Sequence, residues 1–522
     1  MKQTKRILCL LLALLMLLPL TVACNKKGDG VVGDGTEAGG VAGDVAGTAA
    51  ASGDGSDETG EQIETDEKGF QKDKLDGLNF EGKEIRILGC SDPIYKELDI
   101  STDDMNASEL NRALYNRDMK VKTRLNVKPV YQQVPRDEVA TEAEALETQG
   151  GVDMYAPYSR LSATLMMQGY TRNLLDVNYL DFSAPWWASD LIKKVTIHDR
   201  MYVASGDISP SLFAQTFIIC FNKTLFDEVK GDKLSKYDAE SLYEMVEEGT
   251  WTIDAMLEFA KGVGFGTEDG KDSADSYGLV CDPVNVDSFY QAMGLKVLEY
   301  NTDGSVKVSE DLYSAKAHGL VEKLNTFFDT LDGLMPDYTD GPLGARAAVS
   351  ASFNNGTALF KVDCVCSVPG LLENVDVGIL PMPKYNTDQE RYNDVAGFAY
   401  LVWSISRSVT DKLDACGAYM ECMASESYRT IAPAMYEDVY RGQASESADD
   451  YKMWETIKQS IDVEGGRLFV DIYENKTYSV FRTALIGRTT DYMSHSASNR
   501  EQMDGFSAGL NNLMLTLEDL YA

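Results

Sequence analysis

Basic residues are scarce in this sequence: 48 lysines and arginines face 83 aspartates and glutamates over 522 residues, for a net charge of -35. Binding to nucleic-acid phosphate or to anionic headgroups releases counterions only against protein cations, so the balance excludes both partners. Histidine is scarcer still, at three. His198, His318 and His495 form no H-E-x-x-H pair, and the chain has neither a G-x-S-x-G elbow nor a complete P-loop. Catalytic residues are therefore expected to be none, metal ligands none and cofactors none. Cys364-x-Cys366 lacks companion ligands at metal spacing and reads as a structural thiol pair. An apolar run long enough to cross a bilayer is also missing, since the longest, Ile7 to Leu20, falls short of the roughly 20 residues required.

That run follows Lys2, Lys5 and Arg6 and ends in small residues before Cys24, the pattern of a secretory leader cleaved after Ala23. Leu20-Thr21-Val22-Ala23-Cys24 resembles a bacterial lipobox, which implies acylation of Cys24 and an anchor at the outer face of the cell membrane with no spanning helix. From residue 24 to about 70 the chain is rich in Gly, Ala, Asp, Ser and Thr. It has too little apolar surface to offset its ordering entropy and reads as a flexible acidic tether.

Beyond the tether the chain exceeds the usual size of one core, and two lobes are expected. Glu84 to Leu88 reads as a strand, Leu110, Leu114, Val121 and Leu125 share a helical face, and strands follow at 127–131 and 152–155, with a helix at 137–148 between them. This β-α-β-α-β order implies an open α/β sheet with right-handed crossovers. Later, 201–204 and 213–221 read as strands and 242–263, 312–331 and 409–424 as helices, with a turn at Asn301-Thr302-Asp303-Gly304. Cys90, Cys220, Cys281, Cys364, Cys366, Cys416 and Cys422 are odd in number, lack framework spacing and are expected mostly as buried thiols.

Three ordered segments resemble the family 1 extracellular solute-binding proteins, the maltose-binding-protein-like group. They are Arg200-Met201-Tyr202-Val203-Ala204 with Ile219 to Phe226 and Gly249-Thr250-Trp251-Thr252; Phe353 to Phe360 with Val377 to Pro383; and Ala396 to Val402 with the helix after Val409. The resemblance implies a two-lobed, type II periplasmic-binding-protein-like fold. Lobe 1 would hold 78–215 plus 392–435 and lobe 2 the remainder, 216–391 plus 436–522, with crossings near 213–221 and 392–400 and a return near 430–440. It further implies a monomer that captures a solute, a mono- or oligosaccharide, and delivers it to ABC permease subunits. Thr250 is expected to cap a helix, and Trp251 and Trp403 to pack internally.

Sugar sites need aromatic platforms and planar polar groups in a cleft. Loops after the first and third strands offer Ser91, Asp92, Tyr158, Ser159 and Arg160. Adjacent tryptophans cannot both face one core from a regular element, so Trp186 or Trp187 is expected to be partly exposed as the principal stacking surface. The resemblance adds Gln215, on the first crossing, and Asp282, in a contact loop. A surface-anchored polysaccharide-adhesion module or glycan hydrolase remains the alternative reading.

Overall fold

A computed structural model of the chain describes residues 63–92, 98–99, 109–229, 237–264, 276–337, 339, 341–397, 399–435, 447–469 and 479–520. The leader, Cys24 and the tether up to residue 62 lie outside the described residues. Packed chain begins before the residue-70 boundary expected for the tether, because Thr65 bridges Gln71 and the Phe70 ring meets Tyr428 edge-on at 5.3 Å.

The first sheet grows from alternating helices and strands, as the periodicity predicts. β1 (Lys83–Cys90) buries Ile85, Ile87, Leu88 and Cys90. The helix Glu109–Leu125 buries Leu110, Leu114, Val121 and Leu125, the residues whose spacing predicted it, and leads into β2 (Val127–Val134). The next helix, Val139–Gln149, is closed by Gly150 at φ 63 and leads to β3 (Met154–Ala156). β1 pairs in parallel with both β2 and β3.

The chain then builds a second sheet. It contains β4 (Phe217–Asn222) and β5 (Tyr277–Cys281), and beside it runs a hairpin of β6 (Leu298–Tyr300) and β7 (Val306–Val308). Gly304, at φ 80, makes the hairpin turn expected at Asn301 to Gly304. β8 (Gly333–Leu334), β9 (Ala358–Cys364) and β10 (Val377–Leu380) complete the sheet, ordered β10-β4-β9-β5-β8. The chain recrosses through β11 (Asp394–Val395), and β12 (Ser404–Ile405) adds antiparallel to β3, giving the first sheet the order β12-β3-β1-β2. β13 (Ile461–Asp462) lies parallel to β11. This is the two-sheet α/β architecture expected from the resemblance.

Several local expectations are corrected. The first crossing is not strand from 213: Ser211–Ala214 is a helical turn, because buried Asp99 accepts from the Ser211 N–H at 2.8 Å and its hydroxyl at 2.5 Å. Thr216 bridges Ala396 there, so the two crossings touch. The second crossing and 201–204 contribute isolated bridges, Tyr158 with Leu401 and Ala204 with Trp403, rather than continuous strands. The span 242–263 is two helices, Ala239–Glu247 and Ile253–Ala260, broken at Gly249 with φ 72. Thr252, not Thr250, caps the second by accepting from the Ala255 N–H at 3.3 Å. Trp251 and Trp403 are buried, as expected.

The helix expected at 409–424 runs from Leu413 to Ala434, and burial of Cys416, Met420 and Met423 gives it a common inward face. Of the return expected near 430–440, residues 430–434 belong to this helix and 436–440 lie outside the described residues. Beyond it, Ala448–Ser460 is helical and packs against β10. The final helix, Arg500–Leu520, lies along β7 and accepts a hydrogen bond from Arg407 at the Leu517 carbonyl, 3.0 Å. Cys90, Cys220, Cys281, Cys416 and Cys422 are buried free thiols, and Cys364 and Cys366 are half-buried free thiols.

Candidate functional site

Parallel strands in an open α/β sheet present their carboxyl ends, and the loops that follow, to one side. Asp92 follows β1, Arg136 follows β2 and Tyr158 follows β3, so three successive loops of the first sheet bring a carboxylate, a guanidinium and a ring to one wall. From the second sheet, β5 leads to Asp282, and the end of β9 carries Lys361 and Asp363. The helix Gly341–Asn354 turns Arg346 and Asn354 the same way. These groups, with Gln215 at the first crossing, enclose a cavity of about 670 Å³.

The charged lining is arranged in pairs. Arg136 Nε lies 3.4 Å from Asp92 Oδ1, Arg346 Nε lies 3.3 Å from Asp282 Oδ2, and Lys361 Nζ lies 2.6 Å from Asp363 Oδ2. Each pair is built within one sheet's loops, and the six charges cancel. Arg136 also stands 5.8 Å from the centre of the Tyr158 ring. Gln215 Nε2 donates to Cys366 Sγ at 3.1 Å, tying the crossing to the loop after β9. Burial pushes the Cys366 thiol up to about 11, so at neutral pH it is a neutral thiol and a poor nucleophile.

Two acceptors in this lining, Asp92 Oδ2 and Asn354 Oδ1, are buried and take no hydrogen bond from the described residues. Such atoms cost free energy until a donor arrives, so both are acceptors that a hydrogen-bond donor in the cavity could satisfy. Among the described residues no three His, Cys, Asp or Glu side chains are grouped as metal ligands.

Of the residues expected to bind ligand, Asp92, Tyr158, Gln215 and Asp282 are brought together here. Ser91, Ser159 and Arg160 are not among the lining: the Ser91 N–H is committed to the Val134 carbonyl at 2.9 Å, and Ser159 is buried with its N–H on the Tyr400 carbonyl at 2.8 Å. Trp186 and Trp187 require a correction, being only 1% and 3% exposed and absent from this cavity. The expectation assumed a regular element. The pair instead occupies an irregular turn, and both indole N–H groups donate to one carboxylate, Glu421, at 3.0 Å each. Burial pushes that carboxyl up to about 8 despite its N–H donors.

Arg136, Arg346, Asn354, Lys361 and Asp363 escaped the sequence reading. The signal for two of them was available, because Lys361 and Asp363 interrupt the otherwise apolar strand Ala358–Cys364. Arg136 follows the second strand as Asp92 follows the first.

No protein-family model matches the sequence, and no curated protein matches it. Solved structures do share its fold. A cyclo/maltodextrin-binding protein complexed with maltotetraose aligns with a TM-score of 0.53 at 11% identity, over 81% of this chain and 97% of its own. The galacto-N-biose-/lacto-N-biose I-binding protein of the ABC transporter from Bifidobacterium longum, in complex with lacto-N-biose, aligns with a TM-score of 0.51 at 10% identity, over 83% and 98%. An ABC substrate-binding protein from Listeria monocytogenes in complex with cycloalternan aligns at 0.50 and 11%, over 82% and 99%. At such identities the likeness is one of fold.

Proposed function

We propose that this chain is the solute receptor of an ABC importer, capturing a neutral mono- or oligosaccharide in the cavity between its two sheets and passing it on to permease subunits without chemical change. The single observation that carries the reading is the pair of buried, donor-less acceptors, Asp92 Oδ2 and Asn354 Oδ1, in a cavity whose charges cancel. A polyhydroxylated ring supplies many donors and no charge, and Tyr158 offers an apolar face to stack on. The fold neighbours complexed with maltotetraose, lacto-N-biose and cycloalternan support the same reading.

A receptor of this kind needs to stay near its permease. We assign that task to a lipid on Cys24 at the outer membrane face, with the acidic stretch after it as spacer. Among the described residues no helix is long and apolar enough to cross a membrane. Cys24→Ala should move the protein from the membrane fraction to the soluble one; unchanged membrane retention would reject the anchor.

A thermal-shift screen over neutral mono- and oligosaccharides, followed by calorimetry and product analysis on each hit, tests the binding claim. Saturable binding with the sugar recovered intact is expected. Turnover of the sugar would favour a hydrolase, and binding only to long polysaccharide would favour an adhesion module.

A further inference from the structure

One buried carboxylate reaches both crossings between the sheets. Asp99 accepts from the Ser211 N–H at 2.8 Å and from the Ser211 hydroxyl at 2.5 Å, and both residues are buried. Ser211 opens the helical turn Ser211–Ala214 that leads into the first crossing. Its hydroxyl oxygen also takes the Leu401 N–H of the second crossing, at 3.2 Å. A single side chain, Ser211, therefore ties Asp99 to both passages of the chain.

Asp99 is in turn held by the first-sheet side of the molecule. Its carbonyl accepts from Arg117 Nη2 at 2.8 Å, and Arg117 Nη1 donates to Ser427 Oγ at 3.1 Å. Arg117 lies on the helix Glu109–Leu125 and Ser427 on Leu413–Ala434, two helices that pack on each other. In the other direction the turn hands on to Gln215. The Gln215 N–H donates to the Ser211 carbonyl at 2.9 Å, and its own carbonyl accepts from the Gly397 N–H of the second crossing at 2.8 Å. The Gln215 side chain then lines the larger cavity and donates to Cys366 Sγ at 3.1 Å. From Asp99 to the cavity the path is a chain of hydrogen bonds among buried groups, each costly to leave unmade.

We propose that Asp99 is a positioning residue for the ligand cavity: it holds Ser211, and through Ser211 both crossings, in the arrangement that carries Gln215 into the cavity wall. Asp99 is not among the lining residues, so it acts on a bound molecule only through the crossings. Its effect on saccharide affinity rests on the receptor reading above, whereas its hold on the crossings does not.

Hydrogen–deuterium exchange read by mass spectrometry on the purified protein, without sugar, tests that hold. In Asp99→Ala, peptides covering 211–217 and 396–402 should exchange at least tenfold faster than in the wild type, while a peptide from β1 stays within twofold. Asp99→Asn keeps an acceptor for the Ser211 N–H and should stay within threefold at both crossings. A melting curve accompanies each variant. Should Asp99→Ala fail to fold, Ser211→Ala, which removes one donor to Asp99 and the acceptor of Leu401, is read on the same peptides against the same tenfold mark. No acceleration, acceleration at one crossing alone, or an equal acceleration in β1 would overturn the proposal. Calorimetry with the tightest sugar of the screen should show Asp99→Ala weakening binding at least fivefold, with no further loss when it is combined with Gln215→Ala. An undiminished loss in that combination would overturn the route through Gln215. Absence of sugar binding by the wild-type protein would reject the receptor reading, and the exchange experiment then decides the proposal by itself.

Discussion

Replacing Asp92 with alanine removes the one carboxylate oxygen that the cavity holds buried and unsatisfied. Oδ1 is already engaged with Arg136 at 3.4 Å, so a sugar hydroxyl would donate to Oδ2. A hydrogen bond to a charged group contributes about 1.5–3 kcal/mol, and 1.4 kcal/mol is a factor of ten, so the dissociation constant should rise about 10- to 100-fold. Folding should hardly notice. The Asp92 and Arg136 side chains are 24% and 56% exposed, and an ion pair so open to water contributes at most about 1 kcal/mol. The truncation also frees Arg136, which stands over Tyr158, so Arg136→Met and the double variant complete a cycle that isolates the loss of the Oδ2 contact. Calorimetry with the tightest sugar from the screen, beside a melting curve, reads both quantities. An affinity within twofold of the wild type in a folded Asp92→Ala protein would refute the reasoning.

Three further outcomes follow from the geometry. Tyr158→Ala should weaken the sugar about tenfold or more, taking ring stacking at about 1–3 kcal/mol by analogy with base stacking, with the melting temperature nearly unchanged; unaltered affinity by calorimetry would place the platform elsewhere. Trp187→Phe removes one of the donors on buried Glu421 and should cost about 1–3 kcal/mol of stability in denaturant titration while sparing sugar affinity; a tenfold affinity loss at constant stability would restore the tryptophan to the binding site. Asp394, buried beside β13 and accepting from the Met382 N–H at 2.6 Å, is raised from 3.8 to about 7 by burial. The folded chain therefore keeps a proton that the unfolded one has released, and stability falls as pH rises through that window. At about 1.4 kcal/mol per pH unit the loss is up to about 4 kcal/mol. Asp394→Asn, which keeps an acceptor for Met382, should flatten the decline of the melting temperature between pH 4 and 8; an unchanged slope would contradict the assignment.

Repeating periodicity made the first sheet legible. Leu110, Leu114, Val121 and Leu125 could be placed before any coordinates because a helix records its buried face every three or four residues. The crossings were harder. Residues 213–221 as a whole are apolar enough to look like strand, and the helical turn Ser211–Ala214 that replaces the start of it depends on Asp99, more than a hundred positions earlier. The tryptophan pair misled for a similar reason, since Glu421 lies over 230 residues downstream of both indoles. In the site, Asp92 and Tyr158 were accessible because they follow strands, and Gln215 and Asp282 came from the family resemblance. Arg346 and Asn354 sit on a helix whose role as a cavity wall no local pattern announces.

Whether a saccharide occupies the cavity between the two sheets is measured most directly by a crystal structure of the protein grown with the tightest-binding sugar. The expected result is an intact sugar ring against Tyr158, with one hydroxyl within 3.2 Å of Asp92 Oδ2 and another near Asn354 Oδ1, inside the usual hydrogen-bond range. A sugar bound at some other surface, or a hydrolysed product in the cavity, would contradict it.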